Sequence, residues 1–155
     1  IMLYHIPPIS QVAIPLSVID GLMHSHPHMI YGLKDSGGDP EFTSILVQRY
    51  PGINTFTGGA PLFTRALSDM AAGGIFALAN AFPRELRAIL DGGSDAAAAQ
   101  ERMSFITQAV KPYGAIPALK ALLPRLAGLP STSVRAPLVN LTNAQTEELF
   151  AIVSQ

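Results

Sequence analysis

The chain has 155 residues and no cysteine, with 48% apolar and only 14% charged residues, against about 25% charged in an ordinary domain. Ten Lys and Arg against eleven Asp and Glu leave a net charge of -1, which gives no electrostatic reason to bind nucleic acid or an anionic membrane. The missing cysteines exclude disulfides, thiolate metal sites and cysteine nucleophiles, and the length suits one domain with a sizeable core. Four short apolar runs mark the first ninety residues: Met2 to Ile6, Met29 to Lys34, Ile53 to Thr57 and Ile75 to Ala79. Their starts are spaced by 27, 24 and 22 residues, room for one crossover helix each time. Runs apolar throughout fit parallel strands buried on both faces.

The intervening segments have helical periodicity. Leu16, Ile19, Leu22 and Met23 share one face; so do Phe42, Ile45, Leu46 and Arg49, and then Leu62, Phe63, Ala66, Leu67 and Met70. Pro15, Pro40, Pro61 and Pro83 fall at or near the first helical position, where a missing N–H costs nothing, and Asp39 is placed to cap the second helix. After Gly92-Gly93 the strand signal stops. Ser94 to Lys111, Ile116 to Leu126 and Asn143 to Val153 read as helices, with a Pro/Ser/Thr loop from Gly128 to Leu141. The expected architecture is α/β: residues 1–92 form four βα units and 93–155 a helical C-terminal region. A complete eight-unit barrel takes roughly 250 residues, so this length holds about the second half of one.

The longest charge-free stretches are Ile1 to Ile19, broken by three prolines, and the 14 residues from Met70 to Pro83. A membrane span needs about 20 apolar residues, so none is expected. No basic segment precedes an apolar run, so no secretory signal is expected either, and a cytoplasmic location follows. The opening Ile1-Met2-Leu3-Tyr4 reads as a strand already under way, as though cut from a longer chain.

Lys34 ends an apolar strand, and the carboxyl ends of strands carry the ligand site in parallel α/β sheets. A lysine partly desolvated there can present a neutral amine and add to a carbonyl to form a Schiff base. The plainer alternative is a lysine that snorkels to solvent. Tyr4 holds the matching place on the preceding strand, about 4.8 Å away, where a phenol could relay protons; otherwise it is a core tyrosine with a satisfied hydroxyl. His24, His26 and His28 alternate like a metal tract, but they precede a strand, have no acidic neighbour and are not expected to bind metal. Gly37-Gly38 and Gly58-Gly59 make no phosphate loop; they fit tight turns or a close approach of substrate to backbone.

Leu3-Tyr4-His5-Ile6-Pro7, Gly32-Leu33-Lys34-Asp35-Ser36-Gly37-Gly38-Asp39 and Gly73-Gly74-Ile75-Phe76-Ala77-Leu78-Ala79-Asn80 resemble successive motifs of the dihydrodipicolinate synthase / N-acetylneuraminate lyase family. Ile116-Pro117-Ala118-Leu119-Lys120 and Val134-Arg135-Ala136-Pro137-Leu138 resemble its C-terminal helical region. Within the family, Lys-Asp-Ser-Gly-Gly-Asp, Ala-Leu-Ala-Asn and Arg-Ala-Pro-Leu are most similar to 4-hydroxy-2-oxoglutarate aldolases. The resemblance implies a (β/α)8 barrel in which Lys34 forms a Schiff base with pyruvate and Tyr4 relays protons. It places Ser36, Gly58, Ile9 and Ala77 at substrate-binding positions. The family's Gly-Thr-Thr-Gly-Glu motif belongs to the N-terminal half of the barrel, which is absent from this chain, and a second relay tyrosine comes from a neighbouring subunit.

Synthases of lysine biosynthesis carry an arginine where this chain has Ile9, and sialic acid lyases an Asp-Glu pair where it has Ala60-Pro61. The resemblance therefore implies a class I aldolase or lyase that cleaves a small 2-oxo acid to pyruvate and an aldehyde, with no metal or organic cofactor. When full length it would be a homo-oligomer, a dimer or tetramer; alone, the chain is expected to be inactive. A 2-keto-3-deoxy sugar acid aldolase or dehydratase, or a dihydrodipicolinate synthase, is the alternative with the same chemistry. A non-catalytic binding module on the same barrel is the alternative of another class.

Overall fold

A computed structural model describes residues 1–155. Strands β1 (Met2–His5), β2 (Gly32–Asp35), β3 (Asn54–Thr57) and β4 (Gly73–Gly74) form one sheet in the order β1-β2-β3-β4, with every neighbouring pair parallel. Helices α1 (Pro7–Ser10) and α2 (Leu16–Ser25) follow β1, α3 (Pro40–Arg49) follows β2, and α4 (Phe63–Ser68) follows β3 behind a 3₁₀ turn at Ala60–Leu62. Beyond β4 come a 3₁₀ turn at Ala77–Asn80, then α5 (Pro83–Asp91), α6 (Ala96–Val110), a 3₁₀ turn at Lys111–Tyr113, α7 (Ala115–Leu126) and α8 (Asn143–Val153). No helix is long and apolar enough to cross a membrane.

Two compact units result, Ile1–Ile75 and Phe76–Gln155. In the first, Ile19, Ile30, Leu33, Leu46, Tyr50 and Ile53 are buried together, with Leu3, Leu16, Leu22 and Phe42 packed against them. Fully burying side chains such as Ile19, Leu33 and Leu46 contributes about 1.5–3 kcal/mol each, and this anchors α2 and α3 on one face of the sheet. A polar clasp joins the same two helices: Arg49 binds Asp20 through two nitrogens, and the Tyr50 hydroxyl donates to Asp20 Oδ1 at 2.8 Å. The pair with Arg49 holds the Asp20 carboxyl below its usual range. At the start of α3, Asp39 accepts from the Glu41 backbone N–H at 3.0 Å, and Pro40 occupies the first turn.

In the second unit, Ala99, Met103, Ile106 and Val110 line the buried face of α6 at helical spacing. Leu86 and Ile89 of α5, Leu119 and Leu122 of α7, and Leu149 and Val153 of α8 are buried with them. Thr142 and Gln145 close a capping box at the start of α8. The compact unit therefore begins at Phe76, while the sequence repeat runs on to Gly92.

Several local expectations are corrected. The fourth strand is Gly73–Gly74, not Ile75 to Ala79; Ile75 makes one more ladder bond, to the Thr57 carbonyl, and the chain then turns. The Asn80 side chain donates to the Ala77 carbonyl at 2.9 Å, and an alanine-rich run that can bond locally prefers a helical turn to a strand. Helix α1 is an additional element, while Pro15 at the N-cap of α2 and Pro61 in the 3₁₀ turn that leads into α4 fall at or near the helix starts as expected. Ile30, Gly32, Ile75, Ala77 and Ala79 would share the open sheet face if alternation ran unbroken. However, β2 begins only at Gly32, and Ile30 instead joins the core beside Leu33. The register gives that face Met2, Tyr4, Gly32, Lys34, Asn54 and Phe56.

Candidate active site

Tyr4 pairs with Lys34, and Lys34 with Phe56, in adjacent parallel strands. All three side chains therefore project from the face opposite the helices, near the carboxyl ends of their strands. The Lys34 Nζ donates to the Tyr4 hydroxyl at 3.0 Å and lies 4.2 Å from the centroid of its ring. The hydrogen bond from Lys34, foremost, and the nearby Ser36 hydroxyl hold the Tyr4 phenol below its usual value, with partial burial opposing them. A phenol that ionises more readily, flanked by an amine and a hydroxyl, is equipped to pass protons between them.

Gly58 completes this group. Its N–H donates to the Asp35 carbonyl at 2.6 Å, and a Cβ there would come within 2.0 Å of the Ser36 hydroxyl oxygen and 2.9 Å of the Ser36 Cβ. Only glycine leaves room for Ser36 in this position.

Behind the open face is a buried polar cluster that the sequence did not single out. Asp35 is 3% exposed, and its two carboxylate oxygens meet donors from three segments. Oδ1 accepts from the Gly37 N–H at 2.9 Å and lies 2.8 Å from His5 Nδ1; Oδ2 accepts from the Thr43 hydroxyl at 2.6 Å. A carboxylate can only accept, so the His5 proton is on Nδ1. The His5 ring also packs on Phe42, with centroids 4.8 Å apart. His5 and Asp35 flank Tyr4 and Lys34, and strict alternation on a sheet buried on its helix side would have placed both inward; nothing in the sequence marks Thr43 as their partner.

The structure thus brings together Tyr4, Lys34, Ser36 and Gly58. Ile9 lies apart from them on α1, 76% exposed, and Ala77 is exposed in the turn that opens the second compact unit. His24, His26 and His28 are all exposed, and no three His, Asp or Glu side chains converge as metal ligands.

The model of the dihydrodipicolinate synthetase family matches residues 1–155. A protein of Chloroflexus aurantiacus described as an uncharacterized DapA-like lyase is 46% identical over 154 residues, covering 97% of this chain and 52% of that protein. The 4-hydroxy-tetrahydrodipicolinate synthase of Chlamydia caviae is 31% identical over 150 residues, covering 94% of this chain and 50% of its own. Among solved structures, a prophage protein of E. coli K12 from the dihydrodipicolinic acid synthase family, in complex with pyruvate, superposes with a TM-score of 0.87 at 20% identity. It is covered over 55% of its length by 99% of this chain. The chain spans about half the length of the relatives it matches, and its four βα units correspond to the second half of a (β/α)8 barrel.

Proposed function

Because the chain belongs to the dihydrodipicolinate synthetase family, we propose that Lys34 is the Schiff-base lysine of a lyase acting on 2-oxo acids. The observation that carries this reading is the contact between the Lys34 amine and the Tyr4 phenol at the carboxyl ends of adjacent strands. The Lys34 amine, once neutral, attacks C2 of the 2-oxo acid, and the carbinolamine loses its oxygen as water to give a protonated imine. The C3–C4 bond then breaks, its electron pair moving into the imine to form an enamine. The C4 hydroxyl proton passes to the Tyr4 phenolate as the aldehyde departs. A proton returned to C3 regenerates the imine, and water releases pyruvate and the free amine. The imine itself is the electron sink, so this route invokes no added cofactor.

In this reading, residues 1–92 supply βα units five to eight, residues 93–155 the helical region, and the rest of the barrel the grip on the substrate carboxylate. The resemblance assigns Ile9 and Ala60-Pro61 to the aldehyde half of the substrate. Ile9 stands where the synthases of lysine biosynthesis carry an arginine, and this favours cleavage of 4-hydroxy-2-oxoglutarate, or a close relative of it, over condensation with an amino-acid aldehyde. The pyruvate found in the E. coli relative supports the 2-oxo acid, and the Chlamydia relative's name keeps the synthase as the second reading. The assembled protein acts as a homo-oligomer in the cytoplasm. The test is pyruvate release by the complete protein from 4-hydroxy-2-oxoglutarate and from 2-keto-3-deoxy sugar acids, beside a Lys34→Ala control. Release from the former only, lost in Lys34→Ala, is expected. Undiminished release by Lys34→Ala overturns the assignment.

A further inference from the structure

The cluster behind the site holds residues adjacent to Tyr4, Lys34 and Ser36. His5 follows Tyr4; Asp35 separates Lys34 from Ser36; Gly37 follows Ser36. One carboxylate therefore ties β1, the end of β2, the loop after it and α3 to a single point. Backbone bonds reinforce the knot: the Ser36 N–H donates to the His5 carbonyl at 2.8 Å and the Gly58 N–H to the Asp35 carbonyl at 2.6 Å. His5, Asp35 and Thr43 are each at most 6% exposed, so water cannot replace a bond that is lost.

We propose that His5, Asp35 and Thr43 are positioning residues that fix the Ser36 segment beside Tyr4 and Lys34 through the shared Asp35 carboxylate. Thr43 is the informative member, since it is remote from the substrate face and reaches the site only through Asp35. When its hydroxyl is removed, Asp35 Oδ2 loses the donor that fixes the carboxylate from the α3 side. The loop at Ser36 and Gly37 then loosens, while the Lys34 amine is left intact. Misplacing one group at a reacting centre by about 1 Å can cost as much as a hundredfold in rate. The reacting lysine itself remains able to form its imine.

This inference rests on the Schiff-base reading for its rate effect but not for its geometry, so the complete protein is compared as Thr43→Val and Thr43→Ser by two measurements. Amide hydrogen exchange at Ser36 and Gly37 should accelerate at least roughly tenfold in Thr43→Val and stay at the wild-type rate in Thr43→Ser, which keeps the hydroxyl. Turnover should fall roughly tenfold in Thr43→Val, with KM little changed and the borohydride-trapped pyruvate adduct at Lys34 still complete, and Thr43→Ser should restore it. Unchanged exchange in Thr43→Val overturns the proposal, as does faster exchange with wild-type turnover, or an equal loss in Thr43→Ser. If the wild-type protein traps no pyruvate, the Schiff-base reading fails instead. Because the proposal is about geometry, the exchange comparison then decides it alone.

Discussion

Gly58→Ala perturbs the site at the point where the structure is most specific. The added Cβ would lie 2.0 Å from the Ser36 hydroxyl oxygen, 2.9 Å from its Cβ and 3.1 Å from the Asp35 carbonyl. Rotating the hydroxyl relieves only the first contact. Carbon atoms pack at about 3.5–4.0 Å, so the Ser36 backbone has to retreat by roughly half an ångström or more. Overpacking of this kind costs about 1–3 kcal/mol. Turnover should fall tenfold or more, on the order expected for a misplaced group. Gly59→Ala is the control, because its Cβ meets nothing nearer than Leu62 at 3.5 Å and its φ of -100 suits any residue. Urea unfolding and pyruvate release are measured on both variants in the complete protein. Equal stability and equal turnover in Gly58→Ala and Gly59→Ala would refute the placement of Ser36 against Gly58.

Asp39→Ala removes the cap of α3 and should destabilise by about 0.5–2 kcal/mol in urea unfolding, with no change in the trapped adduct; an unchanged midpoint contradicts the cap. The absorbance titration of the protein minus that of Tyr4→Phe should show a phenol that ionises below 10, and Lys34→Ala should move it upward, back toward 10. The native state sheds this proton before the unfolded chain does, so the contribution of Tyr4 to stability grows as pH rises through the lowered value. A Tyr4 titration that Lys34→Ala leaves in place or lowers contradicts the hydrogen bond between Lys34 and Tyr4. The 155-residue chain by itself should bind a hydrophobic dye and associate in solution, because Tyr4 is 50% exposed and Met2 and Ile75 each 39% on a sheet with two free edges. A monodisperse, dye-silent monomer without that association contradicts the half-barrel.

What was legible followed from side-chain periodicity. Apolar runs before a proline or glycine turn placed β1, β2 and β3 within a few residues, and the prolines and Asp39 marked where α3 and α5 begin. The equivalence of Tyr4 and Lys34 could be read because both end such runs on consecutive strands. The fourth strand misled because Ile75-Phe76-Ala77-Leu78-Ala79 is as apolar as a strand, yet its alanines and Asn80 favour a local turn; apolarity alone does not separate the two. Thr43 was invisible for a different reason. Its role depends on α3 crossing behind β2, a tertiary relation that no spacing along the chain encodes.

The central claim is that Lys34 forms the imine, and reductive trapping tests it most directly. The complete protein is incubated with pyruvate and borohydride, and its peptides are mapped by mass spectrometry. The account predicts one reduced three-carbon adduct on Lys34, abolished in Lys34→Ala, with Lys111 and Lys120 unmodified. An unmodified Lys34, or an adduct that forms equally on Lys111 or Lys120, would contradict it.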